Sequence, residues 1–288
     1  MAESGYKVMN KMTAIGAGFY THLSTNSDLK PKLFEWTTED TPVKIFIDGA
    51  IAHGINYKKL PGEKKIGWVC ESRAIFYEWG IKKEIFESNL DLICDSYDQI
   101  FFADREFCKK HPKLQFGFAG SNLPWCKNQQ IFTKTKLVSM FASSKKLTVG
   151  HFKRHEIAEK FKGKLDLFGG AAGSLRLGEG SSPWPDKSEA INEYMFQIVL
   201  ENDSYETYFT EKVTDCFATG TIPVYWGAPD IGDYFNKDGL IILDEDFDIN
   251  CLTSELYESK IDAIKDNFER VQKLISSDDW LFVKIKEM

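Results

Sequence analysis

Between Phe196 and Gly227 the chain reads FQIVLENDSYETYFTEKVTDCFATGTIPVYWG, and the groups in it that could do chemistry are Glu201, Asn202, Tyr208, Glu211 and Lys212. The pattern predicts strand, loop, helix and strand. Thr210 is the expected N-cap, because its hydroxyl can accept from a free amide one turn on. Glu211 and Lys212 then take the first two helical positions. Val213, Cys216 and Phe217 form the buried stripe, and Gly220 ends the helix. A lysine in a first turn opposes the helix dipole, so Lys212 needs a partner. A phosphate is one candidate. In open α/β sheets ligands bind beyond the carboxyl ends of the strands, and a helix N-terminus there attracts phosphate. A Glu-Lys pair in a first turn is more often plain solvated surface. Glu201 and Asn202 at the strand end, with Tyr208 two residues before Thr210, favour a site.

The elements around this stretch repeat its pattern. VKIFID (43–48), KIGWVC (65–70), LDLIC (90–94), QIFFAD (99–104) and KLQFGFAG (113–120) read as strands, and FYEWGIKKEIFESN (76–89) as a helix. Residues 1–40 show weak periodicity. SNLPWCKNQQIFTK (121–134) reads as a linker between two α/β patterns. After it, KLVSMFAS (136–143) and KLDLFG (164–169) read as strands. HFKRHEIAEKFKG (151–163) reads as a helix with Phe152, Ile157, Ala158 and Phe161 on one face. A loop over 169–185, a short helix near 187–194, a last strand LIILD (240–244) and a helical tail over 254–286 complete the pattern. Strands alternating with helices predict parallel sheets covered on both faces. The fold class expected is α/β, with two facing Rossmann-like domains. Their bounds are 1–130 and 131–288, with the terminal helix packing back on the N-terminal domain.

Composition narrows the function class. The 288 residues carry a formal charge of -7 and are 43% hydrophobic, which fits a globular chain and argues against a nucleic-acid surface. Six cysteines lie mostly in apolar runs without metal-ligand spacing, which suggests a reducing compartment. No stretch reads as a membrane span or a signal peptide, so a cytoplasmic location, soluble or peripheral to a membrane, is expected.

The stretch from Phe196 to Phe235 resembles the α1,3-fucosyltransferase family, glycosyltransferase family 10. The matching residues are Glu201-Asn202, Tyr208, Thr210-Glu211-Lys212 and Ile222-Pro223-Val224-Tyr225-Trp226-Gly227; Leu200 stands where the family has phenylalanine. The resemblance implies a GT-B fold, GDP-fucose as donor, and inversion at the anomeric carbon. It assigns the diphosphate to Lys212 and a distant arginine, the ribose to Glu211, and the lining of the nucleotide site to Asn202 and Tyr208. Glu201 joins the donor-binding set at the strand end. The family's arginine follows a strand ending in Ser-Asn. Here that strand ends in Ser143-Ser144 and Arg154 is the best match, an exposed helix arginine being the bland reading.

An inverting transfer needs a general base on the acceptor hydroxyl. Glu71, directly after KIGWVC and in the family's Glu-Ser context, is the leading candidate; Asp48 is the competitor, and a helix cap the ordinary role of either. His53 could touch an acceptor, though a solvated loop histidine is the more common case. Trp68, Trp79, Trp125 and Trp184 read as core or linker aromatics. GAGFYT (16–21) and GGAAG (169–173) do not make a dinucleotide fingerprint. Two other functions compete. One is a metal-dependent GT-A transferase using Asp244 and Asp246 of DEDFD; the other is a protein that binds nucleotide sugar or glycan without turnover. The leading reading needs no metal or other cofactor, takes a GDP-sugar and a glycan acceptor as partners, and leaves the oligomeric state open.

Overall fold

The computed structural model describes residues 10–16, 30–170 and 187–288, save the side chain of Trp79. The GAGFYT and GGAAG motifs run beyond these residues. Trp184 and most of the loop expected over 169–185 lie outside them. The chain forms two compact units. One holds residues up to Glu71, Phe76–Gly120 and Ile275–Met288; the other holds Ser72–Ile75 and Ser121–Leu274. Both are α/β units with wholly parallel sheets, the expected GT-B-like fold class. No described helix is long and apolar enough to cross a membrane.

The first unit is a sheet in the order β2-β1-β3-β4-β5-β6. Its strands are β1 (Asn10–Ile15), β2 (Phe34–Thr37), β3 (Val43–Ile47), β4 (Lys64–Trp68), β5 (Gln99–Phe102) and β6 (Leu114–Phe116). The central strands read as unbroken apolar runs because both faces are covered. Their side chains alternate between two cores. Phe46, Ile100 and Phe102 join the core on one face with Ile51, Phe76 and Phe86. Ile45, Ile47, Ile66, Trp68 and Phe101 join the other, closed by Leu281, Phe282 and Ile285 of the terminal helix Ser277–Glu287. That helix is also tied by charge-assisted bonds. Asp279 accepts from the amides of Lys32 and Leu33, and Asp278 from the Trp36 indole at 2.7 Å.

Three expectations change here. LDLIC is a helix (Leu90–Asp95), not a strand. Leu90, Ile93, Cys94 and Tyr97 all meet one core, the i, i+3, i+4, i+7 spacing of a helix face, while Leu92 points to solvent. The helix expected over 76–89 is two helices, Arg73–Trp79 and Lys83–Ser88. They part at Gly80, where a Cβ would stand 2.6 Å from the Phe76 carbonyl oxygen. The weakly periodic N-terminal region supplies β1, an interior strand, and β2, an edge.

The second unit is a sheet in the order β11-β10-β9-β7-β8. Its strands are β7 (Lys136–Phe141), β8 (Asp166–Phe168), β9 (Tyr194–Leu200), β10 (Ile222–Trp226) and β11 (Ile241–Ile242). From β7 the chain winds outward to β8 on one side, and from β9 to β10 and β11 on the other. The strand order therefore reverses between β7 and β9, and their carboxyl ends frame the switch-point crevice where such sheets bind ligands. Two helices start there: αA, Val149–Lys160, after β7, and αB, Glu211–Thr219, after β9. The stretch 121–134 packs along αB. The amides of Trp125 and Cys126 donate to Asp215 Oδ1 at 2.6 and 2.9 Å, and Phe132 to the Thr219 carbonyl.

Candidate functional site

Helix αB begins and ends as its sequence predicts. Thr210 caps it, its Oγ1 accepting from the Lys212 amide at 3.4 Å. Gly220 closes it in the left-handed region at φ 71°, where a Cβ would meet Ile131 at 2.8 Å.

Glu201, at the end of β9, is fully buried and fixes the cap from below. Its Oε1 accepts the Thr210 amide at 2.9 Å and its Oε2 the Thr210 hydroxyl at 2.7 Å. The lysine that opposes the dipole has its partners here. Lys212 Nζ lies 3.0 Å from Thr210 Oγ1, 3.3 Å from Glu211 Oε1 and 3.6 Å from Glu201 Oε2. Burial pushes the Glu201 carboxyl up, with the ammonium of Lys212 opposing it. Burial would also raise Glu211, but the charges of Lys212 and Lys187, with the Thr210 hydroxyl, outweigh it and hold that carboxyl down at about 2.

Arg154 is buried, not the exposed helix arginine of the bland reading. Its Nε and Nη2 donate to the Leu200 carbonyl at 3.0 and 2.7 Å, and Nη2 also to Asn202 Oδ1 at 2.8 Å. Burial lowers its pKa, and the nearby Glu201, Tyr208 and Glu211 oppose that shift. The apolar face expected for αA is corrected with it. Phe152 is exposed, and the inward face is Gly150, His151, Arg154 and Ala158, running into Phe161. His151, bonded through Nδ1 to the Thr148 hydroxyl, is held down at about 4 by burial and by the charge of Arg154.

Two glycines let these elements close on one another. A Cβ on Gly150 would fall 1.9 Å from the Glu201 carbonyl oxygen, and one on Gly227 would fall 2.6 Å from the Glu201 side chain. Tyr208 is buried with its ring stacked 4.9 Å from Tyr205, which in turn lies under the Arg73 guanidinium at 4.7 Å.

Arg154, Glu201, Asn202, Tyr208, Glu211 and Lys212 are thus brought together in the second unit. Glu71 belongs to the first. There the Asp48 carboxylate accepts from the amides of Cys70 at 2.8 Å and Glu71 at 3.2 Å. Asp48 has φ 46°, and its carboxyl is pushed up to about 7 by burial and by the charge of Glu71. His53 is exposed in the last turn of the helix Ala50–Gly54. Asp244 and Asp246 are exposed, and no group of three or more possible metal ligands is gathered among the described residues.

Lys187 and Asp215 were not singled out by the sequence. Lys187 Nζ stands 2.9 Å from Asp215 Oδ2 and 3.4 Å from Glu211 Oε1, and it lies 4.9 Å from the Trp125 ring centroid. A signal was available. Glu211 and Asp215 are a like-charge i, i+4 pair on a buried helix, which requires a cation between them.

Residues 131–263 match the model of the glycosyltransferase family 10 (fucosyltransferase) C-terminal domain. The chain is 36% identical over 56 residues to the α-(1,3)-fucosyltransferase of Helicobacter pylori, a match covering 19% of this chain and 12% of that protein. It is 36% identical over 62 residues to α-(1,3)-fucosyltransferase B of Drosophila melanogaster, covering 21% and 14%. These matches therefore span only about an eighth of the relatives' own length. Among solved structures the chain is similar to TarM, with a TM-score of 0.50, 12% identity and coverage of 86% of this chain and 55% of that one. It also matches an α1,3-fucosyltransferase with GDP at a TM-score of 0.48 and 13% identity, covering 93% and 84%. The TarM likeness is one of fold. Over residues 131–263 the chain is thus similar to the C-terminal domain of glycosyltransferase family 10, the fucosyltransferase family.

Proposed function

We propose that the protein is an inverting glycosyltransferase that moves fucose from GDP-fucose to a hydroxyl of a glycan acceptor. The observation that carries this reading is the cluster of Arg154, Glu201, Asn202, Glu211 and Lys212 at the switch point of a parallel sheet, within the segment that matches the family. Lys212 reaches solvent with a quarter of its side chain exposed, at a helix N-terminus where a diphosphate would settle. Arg154 uses Nε and Nη2 on protein acceptors, which leaves Nη1 as its edge for a phosphate. These two cations would stabilise the diphosphate as it leaves, the electrostatic work that a metal does in other transferases. Glu211 would take the ribose, and Asn202 and Tyr208 would line the nucleotide. In this reading residues 131–288 hold the donor, and residues 1–130 bring the acceptor and the base Glu71. The terminal helix is counted with the latter.

The experiment is a thermal-shift series with GDP, GDP-fucose, GDP-mannose and UDP-N-acetylglucosamine, followed by turnover with and without EDTA. A donor at 100 times its Kd should add roughly 2.7 kcal/mol of stability. The expected result is stabilisation by the GDP compounds and turnover that EDTA leaves intact. No shift with either GDP or GDP-fucose sinks the donor reading. Turnover lost to EDTA and restored by manganese moves the chemistry to the exposed Asp244 and Asp246. Binding without turnover, across a panel of glycan acceptors, leaves a binding protein.

A further inference from the structure

Resting on that donor reading, we infer that Lys187 is a positioning residue for ribose recognition, acting through Glu211. The two lysines near Glu211 approach the same oxygen. Lys212 Nζ is 3.3 Å and Lys187 Nζ 3.4 Å from Oε1. A carboxylate pinned through one oxygen presents the other in a fixed direction, and an ionised carboxylate is an acceptor only. That is the chemistry a pair of ribose hydroxyls requires.

Lys187 is itself held in place. Its ammonium donates to Asp215 Oδ2 at 2.9 Å, and the other oxygen of Asp215 takes the amides of Trp125 and Cys126. The Trp125 ring centroid lies 4.9 Å from the ammonium. Asp215 is 1% exposed, so this anchor is buried within the unit. Glu211 and Asp215 lie one turn apart on αB, and Lys187 is the cation between them. Without it, Glu211 keeps one cation, Lys212, beside the Thr210 hydroxyl. Its carboxylate is then free to turn toward that lysine, taking an acceptor from the ribose and weakening the cation meant for the diphosphate. The two lysines divide the work: Lys212 faces the ligand, and Lys187 keeps Glu211 from neutralising it.

The test is calorimetric titration of GDP and of 2′,3′-dideoxy-GDP into the wild-type chain, Lys187→Met, Lys187→Arg and Glu211→Gln. Hydrogen bonds to a charged group predict that the wild type prefers GDP over the dideoxy analogue by about 10- to 100-fold. In Lys187→Met the preference should fall to about that of Glu211→Gln, with weaker GDP binding. Lys187→Arg should recover most of the preference. A lysine serving only to hold the fold would lower stability and leave the preference untouched, and that outcome overturns the inference. Should Lys187→Met fail to fold, Lys187→Gln, which keeps a donor for Asp215, carries the same comparison. A wild type that binds no GDP fails the donor reading itself. A wild type that binds GDP and the analogue equally fails only the ribose assignment.

Discussion

Replacing Glu71 with glutamine is expected to slow sugar transfer by about 10²–10⁴-fold, the usual cost of losing a general base, with GDP-sugar affinity nearly unchanged. Glu71 follows β4 at a corner that the Asp48 carboxylate holds by accepting two successive backbone amides, from Cys70 and Glu71. Both amides go to Oδ1, and an oxygen so engaged is a poor proton acceptor for a substrate. Glu71, whose own amide is one of those two donors, follows directly from the corner that Asp48 fixes. The two carboxyls are coupled, since the charge on Glu71 helps push Asp48 up to about 7. The parallel variant Asp48→Asn keeps an oxygen for the two amides but removes a charge. It should retain transfer. Single-turnover transfer beside donor titration, for both variants, decides the matter. An active Glu71→Gln with a dead Asp48→Asn transfers the role to Asp48. A Glu71→Gln that no longer binds donor shows that Glu71 serves the donor and not the acceptor.

What the sequence revealed follows from which interactions are local. The N-cap Thr210 and the left-handed Gly220 are set by their own residue types, and both ends of that helix were legible. So were β9, β10 and the grouping of Glu201, Asn202, Glu211 and Lys212, which lie within a dozen residues of one another. Most short apolar runs were legible as strands, and one was not. LDLIC fits a buried strand and a helix face equally until Tyr97 is seen to continue the helical spacing into the core. Helix αA misled for a different reason. Its inward face carries Gly150, His151 and Arg154, and a face that buries an arginine against a strand end has little apolar signal to find. Lys187 was missed because its partners, Glu211 and Asp215, are 24 and 28 residues away and only the fold joins them. The glycine requirements at 150 and 227 likewise arise from distant backbone and from Glu201.

Replacing Lys212 with alanine is expected to weaken GDP binding by about 10- to 100-fold, as loss of a charge-assisted phosphate contact predicts at roughly 1.5–3 kcal/mol. The same substitution should also destabilise the empty protein, and the two effects have separate causes. In the empty site Lys212 Nζ faces Glu201 at 3.6 Å and Glu211 at 3.3 Å. Glu211 keeps a second cation in Lys187, but Glu201, fully buried, loses the one ammonium that opposes its burial. Its carboxyl then rises further. A carboxyl raised in the folded state costs no stability below its unfolded pKa, near 4.5, where both states hold the proton. Its cost appears and grows as pH rises above that value. The stability lost in Lys212→Ala should therefore be small at pH 4.5 and larger at pH 8, as urea unfolding at the two pH values would register. Adding Glu201→Gln removes the buried charge, so the double variant should lose that pH dependence. GDP affinity should stay low in the double variant, because no cation has been returned to the helix N-terminus. Unchanged GDP affinity in a folded Lys212→Ala protein removes the lysine from the donor site. Affinity restored by Glu201→Gln reassigns its effect from phosphate binding to the burial of Glu201.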